Sequence, residues 1–354
     1  MNVELGIIEG FYGRPWSWRE RAETIAFLQP YGYGFYLYCP KADRYLRRQW
    51  QEAHPPNERE ELRKLSERCA QLGVRFGVGL TPFEAHAGFS EELREALARK
   101  LQLLDDLVIR DLGILFDDMR GDVPRLAERQ AEIVDWMAPR TRAERIFVCP
   151  SYYTDDPVLD RAFGTRPPGY LEDLGALLDP SIEMFWTGEE VCSREFSPSH
   201  LDRVAEELRR KPFLWDNYPV NDGARMSQFL HLRAFTGRPA EIAGHIAGHG
   251  INPALQPTLT RIPALTLVES YRKGRDYAYG HEFANAAREV AGDELGELLR
   301  EDLLILQDVG LDRLGEREDH LRRRYCGRPE PAGREIIAWL DGEYRIAEEL
   351  VQTQ

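Results

Sequence analysis

A chain of 354 residues, 43% hydrophobic and 30% charged, has the make-up of a globular protein. It has room for two domains of about 150 residues or for one α/β barrel of about 250. Its net charge of −14 argues against sequence-independent nucleic-acid binding, anionic membranes and polyanionic substrates, all of which call for a surplus of Lys and Arg. Five scattered cysteines (Cys39, Cys69, Cys149, Cys192 and Cys326) form no CxxC pair, so neither a disulfide framework nor a zinc site is expected. The first residues show no basic segment followed by an apolar core, and no apolar run nears the ~18 residues of a spanning helix. A reducing cytoplasm is the expected compartment.

In chain order, short β-rich apolar runs fall at residues 5–10, 34–40, 75–80, 112–118, 145–150, 182–188, 212–217 and 245–252. Between them lie segments with apolar residues three to four apart and charges elsewhere, among them 61–73, 90–107, 124–137 and 201–210. Strand and helix alternating about eight times predict a parallel (β/α)8 TIM barrel over residues 1–275, with an open doubly wound sheet as the alternative. After residue 276 the pattern becomes helical. Residues 281–309 and 331–352 read as two helices, with GERED (315–319) and CGRPEPAG (326–333) as breaks. Residues 276–354 are therefore expected to form a C-terminal helical appendix packed on the barrel.

In such barrels the reactive groups gather where the strands end. Here those ends carry Glu9-Gly10-Phe11-Tyr12-Gly13-Arg14-Pro15-Trp16, Cys39-Pro40-Lys41, Asp117-Asp118, Cys149-Pro150-Ser151-Tyr152-Tyr153, Trp186-Thr187-Gly188, Trp215-Asp216-Asn217 with Asn221-Asp222, and Asn252-Pro253. Carboxylates, amides, one lysine and aromatics on one rim suit a neutral polyhydroxylated ligand. Asp117 and Asp118 raise a geometric question, because successive side chains of a regular strand point to opposite faces. Either one faces away or the strand has already lapsed. If both face one site, one carboxyl is expected to be pushed toward its protonated form, leaving an acid and a base side by side. The competing readings are a helix cap or solvated loop, and a magnesium site built from the DDxxxD pattern of Asp117, Asp118 and Asp122. Against the metal, the preceding ILF reads as strand rather than helix and no second acidic motif follows. No metal and no other cofactor is expected. His245 and His249 stand among glycines and carry no HExxH motif, so a structural role is expected for both.

The ordered motifs GIIEGFYGRPWSWRERAETIAFL, FYLYCPKAD, ILFDDM, FVCPSYY, IEMFWTGEEVCSREF, LWDNYPVNDGARMSQFL, GRPAEI and GINP resemble glycoside hydrolase family 84, the β-N-acetylglucosaminidases that include protein O-GlcNAcases. The resemblance covers residues 3 to 270. It implies retaining hydrolysis of terminal β-linked N-acetylglucosamine in which the substrate's own 2-acetamido oxygen attacks the anomeric carbon, an exception to the usual two-carboxylate scheme. By the family pattern Asp117 orients the acetamido N–H and Asp118 is the general acid and base. Gly10 and Lys41 match positions that hold sugar hydroxyls, and Tyr153 matches a tyrosine near the acetamide. Cys149, Thr187 and Trp215 match the lining of the acetyl-methyl pocket, and Asn217 matches an asparagine beside the acetamide. Asp222 and Asn252 match binders on the 4- and 6-hydroxyl side. The sequence departs from many relatives at PSYY and at YPVND, where a histidine-containing loop is usual; both bear on leaving-group preference. The implied partner is N-acetylglucosamine on a glycoprotein, glycopeptide or oligosaccharide, and oligomeric state is not legible. A non-catalytic sugar-binding barrel would need a broken acid or a blocked pocket, whereas both aspartates are present.

Overall fold

The computed structural model describes residues 3–346. Eight parallel strands, β1 (Leu5–Glu9), β2 (Tyr33–Tyr38), β3 (Arg75–Leu80), β4 (Asp111–Leu115), β5 (Arg145–Cys149), β6 (Glu183–Trp186), β7 (Phe213–Asp216) and β8 (Gly248–Ile251), close in sequence order into a barrel. β1 pairs with β8 to complete the ring. Helices on the outside connect successive strands: α1 (Trp18–Leu28), α2 (Pro56–Leu72), α3 (Glu91–Asp105), α4 (Leu126–Met137), α5 (Val158–Phe163) with α6 (Tyr170–Leu177), α7 (Pro198–Leu208), the short α8 (Gly223–Met226), and α9 (Arg261–Lys273) after β8. This is a (β/α)8 TIM barrel. The strands read as near-continuous apolar runs because both faces are covered, by the barrel interior and by the helices.

Local sequence sets where the helices start. Ser17 and Glu20 form a reciprocal capping box on α1, and Ser90 and Ser197 accept backbone N–H groups at the starts of α3 and α7. The largest departures from the expected strand limits are two. β4 stops at Leu115, not Asp118, and β8 begins only at Gly248, three residues late, after a 3-10 turn over Ala240–Gly244.

Aromatic rings fill the barrel. Phe147 stacks on Phe185 at 4.8 Å, and Phe213 meets Phe147 edge-on at 5.0 Å. Glycine on the neighbouring strand makes room for them: a Cβ at Gly6 would stand 2.2 Å from the Phe35 ring. Below the stack Arg145 lies 4.5 Å from the Phe147 ring and joins Asp111 at 2.7 Å and Glu4 at 2.6 Å. Above it Trp215 packs edge-on to Phe185 at 5.2 Å, so its indole forms the floor of whatever sits at the C-terminal rim.

The C-terminal region contains α10 (Tyr279–Ala291), α11 (Asp293–Leu304), a π-helical turn (Ile305–Val309), α12 (Glu316–Tyr325) and α13 (Pro331–Leu340). The single helix expected over 281–309 is divided at Gly292, whose φ of 82° no helix accommodates. GERED does not break the chain; only its Gly315 does, and the glutamates and aspartate that follow form the first turn of α12. α13 ends at Leu340, short of the expected helix, and residues 347–354 lie outside those described. The region docks on the barrel's loops. Glu335 of α13 accepts the backbone N–H groups of Thr258 (2.8 Å) and Leu259 (2.9 Å). Arg14 pairs with Glu343 at 2.5 Å, and a Cβ at Gly13 would stand 2.8 Å from Ile346.

Candidate active site

The backbone answers the question posed by the two aspartates. Phe116 N–H still bonds the Cys149 carbonyl at 2.9 Å, continuing the β4–β5 ladder one residue past the strand. Two residues later Asp118 adopts φ of 56°, in the left-handed region. That turn abolishes the alternation of faces, and aspartate is one of the few residues that tolerate it. Asp117 and Asp118 consequently line the same pocket.

Lys41, from the loop after β2, is buried between them. Its amine forms a short ion pair with Asp117 Oδ2 and lies 3.3 Å from Asp118 Oδ2. Tyr12 O–H donates to Asp118 Oδ2 at 2.5 Å, and Arg47 stands 3.6 Å from the same oxygen while donating to Tyr12 at 3.2 Å. Burial opposes ionisation of Asp118, yet Lys41, Arg47 and the Tyr12 hydroxyl outweigh it and hold its pKa below the usual carboxylate value. Burial likewise disfavours the Lys41 cation, and the two aspartates more than reverse that. The expectation that crowding would push one carboxyl toward protonation is therefore corrected at Asp118, where the neighbouring cations favour the ionised form. One acceptor is left over. Asp117 Oδ1 is buried and has no hydrogen-bond partner among the described residues.

The remaining expected residues enclose the same pocket, of about 490 Å³ counted to its open mouth. Gly10 lies against Trp215, where a Cβ would come within 2.2 Å of the indole. Asn217 is fixed on both sides: its amide donates to the Val191 carbonyl at 2.8 Å, and its oxygen accepts from Trp215 Nε1 (3.1 Å) and Asn252 Nδ2 (2.9 Å). Asn252 in turn accepts from Gly10 N–H at 3.2 Å, and Asp222 accepts from Tyr12 N–H at 2.7 Å. Thr187 is held by the carbonyls of Tyr153 and Glu190. Burial pushes the Cys149 thiol and the Tyr153 phenol well up, so both are neutral, and Cys149 is a wall rather than a nucleophile. Tyr12, which stands on the expected rim after β1 but had no role assigned, also lines the pocket. Val191, Cys192 and Val220 line it too and were not anticipated, since they lie in loops with no periodicity to read.

Several rim candidates turn away. Glu9 points outward from the barrel into a buried pair with Arg21, whose guanidinium bonds it at 2.7 and 2.9 Å. Asp216 likewise lies behind the strands, bonded to Arg238 at 2.6 and 2.8 Å and to His249 at 3.0 Å. Asp122 is exposed and paired with Arg120, which removes it from the supposed DDxxxD cluster. His245 pairs with Asp202 far from the rim.

A parallel barrel whose C-terminal rim holds two adjacent carboxylates, fixed amides and a tryptophan floor around a small pocket is the arrangement of a glycoside hydrolase. The chain belongs to the β-N-acetylglucosaminidase family, whose model matches residues 5–305. It is similar to protein O-GlcNAcase of Mus musculus, 28% identical over 276 aligned positions, with 75% of this chain and 30% of that protein covered. The Rattus norvegicus protein matches to the same extent. The chain thus spans about 30% of the length of these curated relatives. Among solved structures, a mutant O-GlcNAc hydrolase of Thermobaculum terrenum superposes with a TM-score of 0.78 at 28% identity, covering 96% of this chain and 80% of that one.

Proposed function

We propose that this chain is a retaining exo-β-N-acetylglucosaminidase that removes terminal β-linked N-acetylglucosamine from a glycoprotein, glycopeptide or oligosaccharide by substrate-assisted catalysis. The observation that carries the reading is the spare oxygen of Asp117. A buried carboxylate oxygen without a donor is costly, and an acetamido N–H entering the pocket supplies the missing donor. Held in that way, the acetamide turns its carbonyl oxygen toward the anomeric carbon. That oxygen bonds to carbon 1 as the bond from carbon 1 to the leaving oxygen breaks, and Asp118 gives its proton to the departing oxygen. Water then attacks carbon 1, Asp118 takes back a proton, and the bond to the acetamide oxygen breaks to restore the N-acetyl group. Asp118 must carry its proton when the glycosidic bond breaks; a sugar that excludes water around it favours that protonated form, against the pull of Lys41 and Arg47.

The other residues take the roles that the family resemblance implies for them. Gly10, Lys41, Asp222 and Asn252 hold hydroxyls, Tyr153 and Asn217 border the acetamide, and Cys149, Thr187 and Trp215 enclose its methyl. Five free thiols fit the reducing cytoplasm proposed as its compartment. The test compares 4-nitrophenyl N-acetyl-β-glucosaminide with the matching β-glucoside. Cleavage of the first alone is expected, because only it carries the internal nucleophile. Equal turnover of both would refute participation by the substrate, and binding of N-acetylglucosamine without any turnover would mark a sugar-binding barrel instead.

A further inference from the structure

Past Tyr12, Lys41 and Asp118 the sugar pocket opens into a second and larger cleft of about 2430 Å³, again counted to its mouth. Asp118 stands at the junction, and a general acid faces the leaving group, so this cleft lies on the leaving-group side. Its charge runs against that of the molecule. In a chain of net charge −14 it is lined by Lys41 and four arginines against three carboxylates. Three of those cations are already committed: Lys41 to Asp117 and Asp118, Arg47 to Asp118, and Arg120 to Asp122. Arg44 and Arg48 are exposed and form no salt bridge among the described residues; Arg44 packs on the ring and bonds the hydroxyl of its neighbour Tyr45, with weaker attraction from Glu52 and Glu58. The rest of the lining sets Phe83, Phe163 and Val123 beside Gln51, Glu84 and His86, with no tryptophan platform for a second sugar ring. Guanidinium groups interspersed with apolar surface fit polypeptide better than glycan.

We infer that this cleft receives the polypeptide flanks of the leaving group and that Arg44 and Arg48 select glycopeptides with acidic side chains beside the sugar-bearing residue; the inference rests on the hydrolase reading above. Two exposed charge pairs of this kind amount to about fivefold or more in kcat/KM at low ionic strength. The experiment measures kcat/KM for two glycopeptides that differ only in flanking Glu or Gln, with 4-nitrophenyl N-acetyl-β-glucosaminide and chitobiose alongside. The wild type is expected to prefer the Glu peptide by that factor. The ratio is expected to fall toward one in about 0.5 M salt and in the Arg44→Gln/Arg48→Gln double variant. Each ratio is taken within one preparation, so any loss of folded protein cancels. A ratio of one in the wild type, or chitobiose preferred to both peptides, would overturn the inference while aryl-glycoside turnover leaves the hydrolase intact. Absence of aryl-glycoside turnover would overturn both.

Discussion

Asp118 combines a strained backbone with a crowded side chain, and both matter when it is tested. Its left-handed φ makes asparagine the right replacement, since alanine there adds a backbone penalty of about 1 kcal/mol to the chemical loss. Asp118→Asn is expected to slow cleavage of poor leaving groups by about 10² to 10⁴ and of an activated nitrophenyl leaving group far less, because only the former needs a proton. Asp117→Asn is expected to slow both alike, by about 10² or more, because it acts on the acetamide and not on the departing oxygen. A series of aryl glycosides with graded leaving-group pKa separates the two, and matching slopes for the two variants would exchange or void the assigned roles. What the sequence makes legible at this scale is residue type and order. Which way a side chain points is legible only where strand alternation holds. It holds at Glu9, which therefore faces away from the side of Gly10, and it fails at Asp118, where a single dihedral angle decides. The screening by Lys41 was equally hidden, since 76 positions separate it from Asp117.

At the scale of elements the strands and outer helices were readable because both are periodic. The breaks were less so: Gly292 divides the helix expected over 281–309, and within GERED only Gly315, not the acidic run after it, interrupts the helices. α13 carries the element whose behaviour changes with pH. Burial pushes the Glu335 carboxyl up to about 7, against the pull of the two backbone N–H groups it accepts. A raised folded-state pKa means that proton uptake stabilises the fold. The contribution is fully present below the ordinary value near 4.5 and is lost as pH rises through about 7. Wild type is therefore expected to lose about 3 kcal/mol of stability relative to Glu335→Gln between pH 4.5 and 7. Urea unfolding of both proteins across that range checks it; parallel curves would mean that Glu335 ionises in the fold at no cost.

For the molecule as a whole, the eight-fold alternation announced the barrel, and the rim inventory announced a polar pocket with an aromatic floor. The grip of the C-terminal region on that rim was not legible, because it depends on distant packing: Ile346 on the turn at Gly13, Ser227 Oγ accepting the Ile346 N–H at 3.2 Å, and Arg14 on Glu343. Gly13 adjoins Tyr12, whose backbone bonds Asp222 and whose hydroxyl bonds Asp118. Ile346→Ala is accordingly expected to cost about 2 kcal/mol of stability. It is also expected to raise KM more than it lowers kcat, as the Tyr12 turn loosens; unchanged KM at reduced Tm would confine Ile346 to packing. The same connection has a practical corollary. A purification handle or reporter joined at Ile346 is expected to disturb Asp118 through Gly13 and Tyr12, so kinetic constants for such a fusion describe the fusion. Conversely, a ligand-responsive module grafted at that point would make glycosidase turnover its output.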